Sequence, residues 1–441
     1  MKLTRAALTA AFIALAHADG AAGQSRGWSI PFYGSESQPV EADGILYVGS
    51  SRGELLAVDL ASGKTRWTYQ TGATLPLSAP MRINAPEPKA GFQALSRSMA
   101  DPWPARRVIN AAPLVDRGTV FLASEDRGFY ALDAQSGVLR WRLDLPRPAT
   151  GATVTAGRVV FAAANKVLAY ERDGQLAWSY EFSSEVPNDV RDSPTVPVQI
   201  GELLYVAKRF LSPVRVRVVA LDAQSGALKW SFDAPSSLAV EPIIANGLVF
   251  LSTTYPEGMR AIDAGTGALR WTFNAENCHA NVSPAMVAGG RVLFATDCGI
   301  YGLEQETGKL AWMAPGSSTP AILRRSAAGS RLLLAPMLPD RKLHALDAVS
   351  GQALWSVSTG RVLATGDDLA YVASQNSFVA VNLQNGRTRW QLRAGAEVSS
   401  NPLLVDGKIC FTSGVPYAVR FEGFVPIQGK LVCADARTGK F

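Results

Sequence analysis

Residues 133–141 read DAQSGVLRW, and residues 222–230 read DAQSGALKW. The word recurs in looser spelling along the chain: AVDLASGKTRW (57–67), ALDAQSGVLRW (131–141), AYERDGQLAW (169–178), ALDAQSGALKW (220–230), AIDAGTGALRW (261–271), GLEQETGKLAW (302–312), ALDAVSGQALW (345–355) and AVNLQNGRTRW (380–390). A ninth copy, CADARTGKF (433–441), stops where the sequence stops. Such self-similarity constrains the fold more than any other feature, since each copy must be one structural unit packed on its neighbours. In the eight complete copies the Trp follows the Gly by four residues, at Trp67, Trp141, Trp178, Trp230, Trp271, Trp312, Trp355 and Trp390. Successive Trp residues are 35 to 74 apart. The unit is constant inside and its connections vary.

Residue types identify the unit. Runs such as ILYVGSS (45–51), TVFLASE (119–125), LVFLSTT (248–254) and RVLFATD (291–297) are rich in the branched and aromatic residues that suit a pleated, half-buried surface. The Asp-x-x-Ser/Thr-Gly segment makes a tight turn, because Asp bonds the backbone ahead of it and Gly takes positive φ without a clash. The Trp opens the next strand and is large enough to fill the space between sheets. A repeat of about forty residues built this way matches the four-stranded blades of a β-propeller. Helical repeats of similar period would need apolar spacing near 3.6, and no long amphipathic helical run is present.

The expected fold is therefore all-β, a propeller of eight or nine four-stranded blades. The uncertain number comes from the unfinished ninth copy, and the shortened AYERDG copy and the copy around Asn382 are the candidates for an irregular blade. Just before the first repeat, GWSIPFYG (27–34) supplies a Trp strand without a partner, Trp28. It is expected to complete the blade begun at 433–441, closing the ring by pairing the N- and C-terminal strands and leaving no unpaired edge there. Of ten Trp residues, Trp103 alone is out of phase.

Residues 1–18, MKLTRAALTAAFIALAHA, combine Lys2 and Arg5, an apolar stretch and Ala16-His17-Ala18, the layout of a cleaved signal peptide. The organisation expected is signal peptide 1–18, a short linker 19–26 and one propeller domain over 27–441, with long loops at 75–108 and 414–429. No other run approaches the roughly 20 apolar residues of a membrane helix, and no Cys follows the signal region to carry a lipid. A periplasmic, monomeric protein is expected. In an oxidising compartment the four cysteines are expected to pair within single blades, as Cys278–Cys298 and Cys410–Cys433. No metal site is expected, since there is no C-x₂-C and His279 is the one histidine beside a cysteine. The formal charge of +6 is spread among the repeats, unlike the clustered footprint of a nucleic-acid binder.

The word A-x-D-x-x-[ST]-G-x-x-x-W resembles the tryptophan-docking repeat of pyrroloquinoline quinone (PQQ) propellers, and the resemblance covers about residues 27–441. Two classes share that repeat. Quinoprotein dehydrogenases hold PQQ and Ca²⁺ near the propeller axis and oxidise alcohols or sugars; the class resembling BamB is a cofactor-free scaffold in the assembly of outer-membrane β-barrel proteins. The repeat residues hold blades together in both, so they define the fold and not the function.

The dehydrogenase branch implies features that the sequence lacks: adjacent cysteines, a C-x-x-C-H haem site (NCHA, 277–280, is not one) and a recognisable set of calcium ligands. Asp189 and Asp192 are candidate bases, though their setting in EVPNDVRDS suits loop caps. His344, inside LHALD, reads as a strand residue. The distinctive material is the excursion at 75–108, which holds Trp103, Arg106 and Arg107, a composition enriched at binding hot spots; folding back on its own blade is the other outcome open to it. The expectation is a non-catalytic protein-interaction scaffold of the cell envelope without nucleic acid or cofactor. A small PQQ- and calcium-dependent oxidoreductase is the alternative, and a propeller holding a small ligand or polysaccharide in its funnel is a third.

Overall fold

The computed structural model describes the chain from residue 27 onward, apart from 35–36, 73–107, 110, 184–193, 212–213, 236, 239–240, 255–257, 276–277, 279–284, 316–331, 338–341, 359–360, 367, 375–376, 395–396, 415–417, 421–422 and 426–428. The expected signal peptide and linker, and Trp103, Arg106, Arg107, Asp189, Asp192 and His279, lie outside the described residues. Every described element is a strand.

The first repeat shows how a blade is built. Val40–Ala42, Ile45–Gly49, Glu54–Asp59 and Thr65–Gln70 pair antiparallel in sequence order. We call these strands a to d. The plan recurs over 114–144, 152–181, 198–234, 243–274, 286–315 and 361–393, and 332–357 holds three strands in the same order. The last sheet joins Leu403–Val405, Lys408–Ser413 and Gly429–Asp435 to Trp28–Phe32, whose register runs from Trp28 opposite Cys433 to Phe32 opposite Gly429. The first described strand is thus the outer strand of the ninth blade. The AYERDG and Asn382 copies build ordinary four-stranded blades, the third and eighth, because a one-residue change in a turn leaves the strand pairing intact. Two sheets depart from four strands among the described residues: the fifth gains Ser237–Leu238, and the seventh has three strands.

Apolar packing follows the same count. Nine buried clusters occur, each shared by two neighbouring blades, from Tyr47, Val120 and Tyr130 between blades one and two to Phe378, Ile409 and Phe411 between eight and nine. Phe32, Leu46, Val58, Cys410 and Leu431 fill the seam between nine and one. The core is a closed ring of seams, in which each blade contributes to two.

Docking of Trp explains the repeated word. Each ring lies on the turn glycine of the next copy: Trp28 on Gly63, Trp67 on Gly137, and so on to Trp390 on Gly439. A Cβ on any of these nine glycines would stand 2.4 to 3.0 Å from the indole, and each has φ between +67° and +87°. Eight of the nine indole N–H groups donate to a carbonyl of that next turn, as Trp230 does to Ala264 at 2.9 Å and Trp28 to Leu60 at 2.9 Å; the buried Trp178 N–H has no partner. The motif's Ala lies directly opposite the Trp across the c–d pair, at Ala57, Ala131, Ala220 and Ala261, each beside a bulge. A small residue is needed there, since even a Cβ on the equivalent Gly302 would meet Trp312 at 2.3 Å.

The motif's Asp organises the turn. Asp263 Oδ1 accepts from the Thr266 N–H and hydroxyl at 2.9 Å each, and Oδ2 accepts from Arg270 at 2.6 Å. Arg270 first, then Thr266, hold the Asp263 carboxyl down at about 2; the Ser225 hydroxyl and N–H do the same for Asp222, also at about 2. A depressed carboxyl stabilises the fold fully above its unfolded value near 4 and loses that effect as pH falls through about 2. We therefore expect thermal stability to drop between pH 4 and pH 2, and a double Asp222→Asn, Asp263→Asn variant to lose less over that interval, since Asn takes up no proton. Melting curves at pH 5 and pH 2 decide it; equal losses would refute the assignment.

Candidate functional site: the loop-bearing end of the ring

Strand alternation gives the ring two ends, because a–b and c–d turns fall on one and b–c and d–a connections on the other. The first end is built of short turns. Six of its c–d turns, starting at Asp59, Asp133, Asp222, Asp263, Asp347 and Asp435, are Asp-x-x-Ser/Thr-Gly units, and its a–b turns include Asp43-Gly44, Arg117-Gly118, Ala156-Gly157, Asn246-Gly247, Gly289-Gly290 and Asp406-Gly407, both residues at positive φ in every pair, as a tight two-residue hairpin requires. The x-Gly signal was legible in the sequence and was missed. All the long excursions leave from the second end. They include 73–107, 184–193, 276–284 and 316–331 between blades and 414–428 within the ninth.

The base of the longest excursion is pinned. Thr71 donates to the Gly53 carbonyl through both its N–H and its hydroxyl, at 2.8 and 2.9 Å. The Gly72 N–H donates to the Tyr130 hydroxyl at 3.0 Å, and that hydroxyl donates to Asp126. Burial, reinforced by Asp126, pushes the Tyr130 phenol well above its ordinary value, so it stays a donor. On the returning side the Ile109 N–H donates to the Ser50 carbonyl at 3.1 Å, and the fully buried Ile109 side chain occupies the place a Cβ on Gly49 would take. The segment carrying Trp103, Arg106 and Arg107 therefore leaves and re-enters at fixed points.

The longest described strands, Leu203–Leu211 and Val214–Asp222 of nine residues each, form the b–c hairpin of the fourth blade at this end. Lys208 faces Arg217 and Phe210 faces Arg215 across the pair, so alternation puts three cations on one face. They surround the Phe210 ring at 5.4, 4.6 and 5.8 Å for Lys208, Arg215 and Arg217. Arg217 grips Asp233 with two bonds of 2.7 and 2.6 Å and donates to Ser183 at 3.2 Å. The Arg217 bonds hold the Asp233 carboxyl below the usual range. Lys208 is buried. KRFLSPVRVRV is basic in sequence, but which of its cations meet is set by the hairpin register.

Both disulfides are formed, but in different settings. Cys410 and Cys433 face each other in paired strands and are fully buried. Cys278–Cys298 instead ties the connection between blades five and six to the b–c turn of blade six. His344, half-buried in the strand Lys342–Asp347, stands opposite Ala335 and Ser356. In the 414–429 excursion, Ala418–Arg420 and Gly423–Val425 form a small hairpin. No helix of the described residues is long and apolar enough to cross a membrane.

Nine seams, docked Trp residues and ring closure through the first strand define a β-propeller of PQQ-type repeats. A family profile described as outer membrane protein assembly factor BamB matches residues 8–69, 87–209, 196–332 and 339–440, and the chain belongs to this family. Among solved structures, BamB from Moraxella catarrhalis aligns at a TM-score of 0.51 and 14% identity over 92% of this chain and 96% of that one. The quinohemoprotein alcohol dehydrogenase ADHIIG of Pseudomonas putida HK5 aligns at 0.55 and 16% over 95% and 77%. In sequence, the quinohemoprotein alcohol dehydrogenase ADH IIB of Pseudomonas putida is 28% identical over 189 residues, and the serine/threonine-protein kinase AfsK of Streptomyces griseus 29% over 162. These matches span 40% and 34% of this chain but 23% and 19% of the relatives.

A PQQ propeller of the dehydrogenase class would hold Ca²⁺ beside the quinone. Calcium takes six to eight oxygen ligands, several of them carboxylates. The cluster of three or more His, Cys, Asp or Glu side chains found among the described residues is Cys278, Asp297 and Cys298, with both sulfurs in a disulfide. These residues do not supply a calcium site.

Proposed function

We propose that the protein is an exported, non-catalytic scaffold that holds a protein partner of the cell envelope on its loop-bearing end, in the outer-membrane protein assembly that the family description names. One observation carries this reading: every long excursion leaves from one end of the ring, while the other end is built of near-identical tight turns. Connecting segments on a rigid frame are where binding concentrates. Trp103, Arg106 and Arg107 are the contact residues proposed, on an excursion whose base is fixed. The expected arrangement is a signal peptide at 1–18 and a monomeric propeller in the periplasm.

The similarity to quinohemoprotein alcohol dehydrogenases favours a PQQ- and calcium-dependent oxidoreductase as the second reading. Calorimetric titration with PQQ in the presence of Ca²⁺ separates the two. The scaffold reading expects no heat of binding, whereas saturable tight binding would overturn it. For the partner surface, a chain with 75–107 replaced by a short Gly/Ser tether is expected to melt within about 2 °C of the parent and to lose crosslinking to envelope proteins. Unchanged crosslinking would remove that excursion from the site.

A further inference from the structure

The disulfide at the loop-bearing end is chemically unlike the buried one. Cys298 is partly exposed, whereas Cys278 is 4% exposed. The Tyr301 hydroxyl lies 3.2 Å from the Cys278 sulfur, and since a disulfide sulfur carries no proton, the phenol is the donor. The buried Tyr301 ring stacks on Phe294 at 5.2 Å, which fixes the phenol beside the sulfur. Asp297 brings a carboxylate to the same place. One ligand atom from each of Cys278, Asp297 and Cys298 lies within 4.8 Å of the others.

We propose that Cys278–Cys298 is an exchangeable disulfide whose reduced form binds Zn²⁺ through the two thiolates and the Asp297 carboxylate. A thiolate of a dithiol reductant attacks the accessible Cys298 sulfur; the Cys278–Cys298 bond breaks, and Cys278 leaves as a thiolate that accepts the Tyr301 hydrogen bond. The reductant's second thiolate then attacks its own sulfur in the mixed disulfide and releases the Cys298 thiolate. Two electrons pass to the protein, and the reductant becomes a cyclic disulfide.

The released sulfurs suit the ion. Two thiolates at about 2.3 Å from Zn²⁺ in tetrahedral geometry stand about 3.8 Å apart, a span that side chains on α-carbons 5.5 Å apart can reach. Asp297 is the third ligand, and a water would complete the tetrahedron, the arrangement of a zinc site with an open coordination. Zn²⁺ replaces the covalent tie between the blade 5–6 connection and the blade-six turn by a reversible one. The sequence led us to expect the Cys278–Cys298 pair with Asp297 next to it in the chain; the fold adds that the Asp297 carboxylate lies beside both sulfurs.

The test uses the intact chain. After graded treatment with dithiothreitol under native conditions, alkylation and peptide mapping are expected to label Cys278 and Cys298 at about tenfold lower reductant than Cys410 and Cys433. The selectively reduced protein, freed of reductant under argon, is titrated with Zn²⁺ against a chromophoric chelator. One Zn²⁺ per chain is expected, about tenfold or more weaker in Asp297→Ala and absent in Cys298→Ser, with circular dichroism confirming that both variants fold. Simultaneous reduction of the two pairs, absence of Zn²⁺ binding, or equal affinity in Asp297→Ala would each overturn the proposal.

Discussion

Deletion of residues 27–34 is expected to lower the melting temperature by more than about 10 °C, or to prevent folding altogether. These residues precede the first repeat in sequence, yet they supply the outer strand of the ninth blade, as their orphan Trp strand led us to expect. The deletion strips the pairing partner from Gly429–Asp435, removes Phe32 from the last seam and removes the Trp28 indole from Gly63. Losing a buried Phe or Trp typically costs about 3–5 kcal/mol, and an opened ring adds an exposed sheet edge. The Lys408 ammonium donates to the Leu60 carbonyl across the same seam at 2.9 Å, and burial pulls its pKa down; without the strand it would face water. Calorimetric melts of the deletion and of Trp28→Ala should rank in that order. A melt within about 2 °C of the parent would mean that the ring does not depend on this closure.

The second large effect separates two roles of glycine. Gly267 and Gly118 both sit at positive φ, +76° and +71°. Around Gly118 nothing lies within 4 Å of an added Cβ, whereas at Gly267 the Trp230 ring is 2.7 Å away. Gly118→Ala should cost about 1–2 kcal/mol, the left-handed strain alone. Gly267→Ala should cost about 1–3 kcal/mol more, because the indole must leave its packing and its bond to Ala264. Denaturant unfolding of the two variants measures the difference directly. Equal losses would show that docking on the turn contributes nothing beyond backbone conformation.

The repeat was legible because each of its residues has a local reason to be there. Asp binds its own turn, Gly takes the left-handed conformation, and Trp needs a flat surface to cover, so spacing alone identified the blade, the ring and the role of Trp28. The blade count was not legible, because a motif shortened by one residue looks irregular in text while its strands pair normally, as Trp178 and its neighbours show. The cation cluster of blade four and the pairing of 71–72 with Tyr130 were hidden for another reason. Lys208 meets Arg217 only when a hairpin fixes the register, and Tyr130 reaches Gly72 from 58 residues away.

The limits of sequence are therefore physical. Interactions within about ten residues, the Asp–Ser/Thr–Arg turn and the Gly–Trp spacing, are set by local chain geometry and are written in order along the chain. Which end of the ring gathers the excursions follows from strand alternation, and could be worked out once the blade was recognised. What stands next to what at that end, Tyr301 beside Cys278 and the Asp297 carboxylate beside both sulfurs, only the tertiary structure decided, because it depends on how the connection from blade five packs against the b–c turn of blade six.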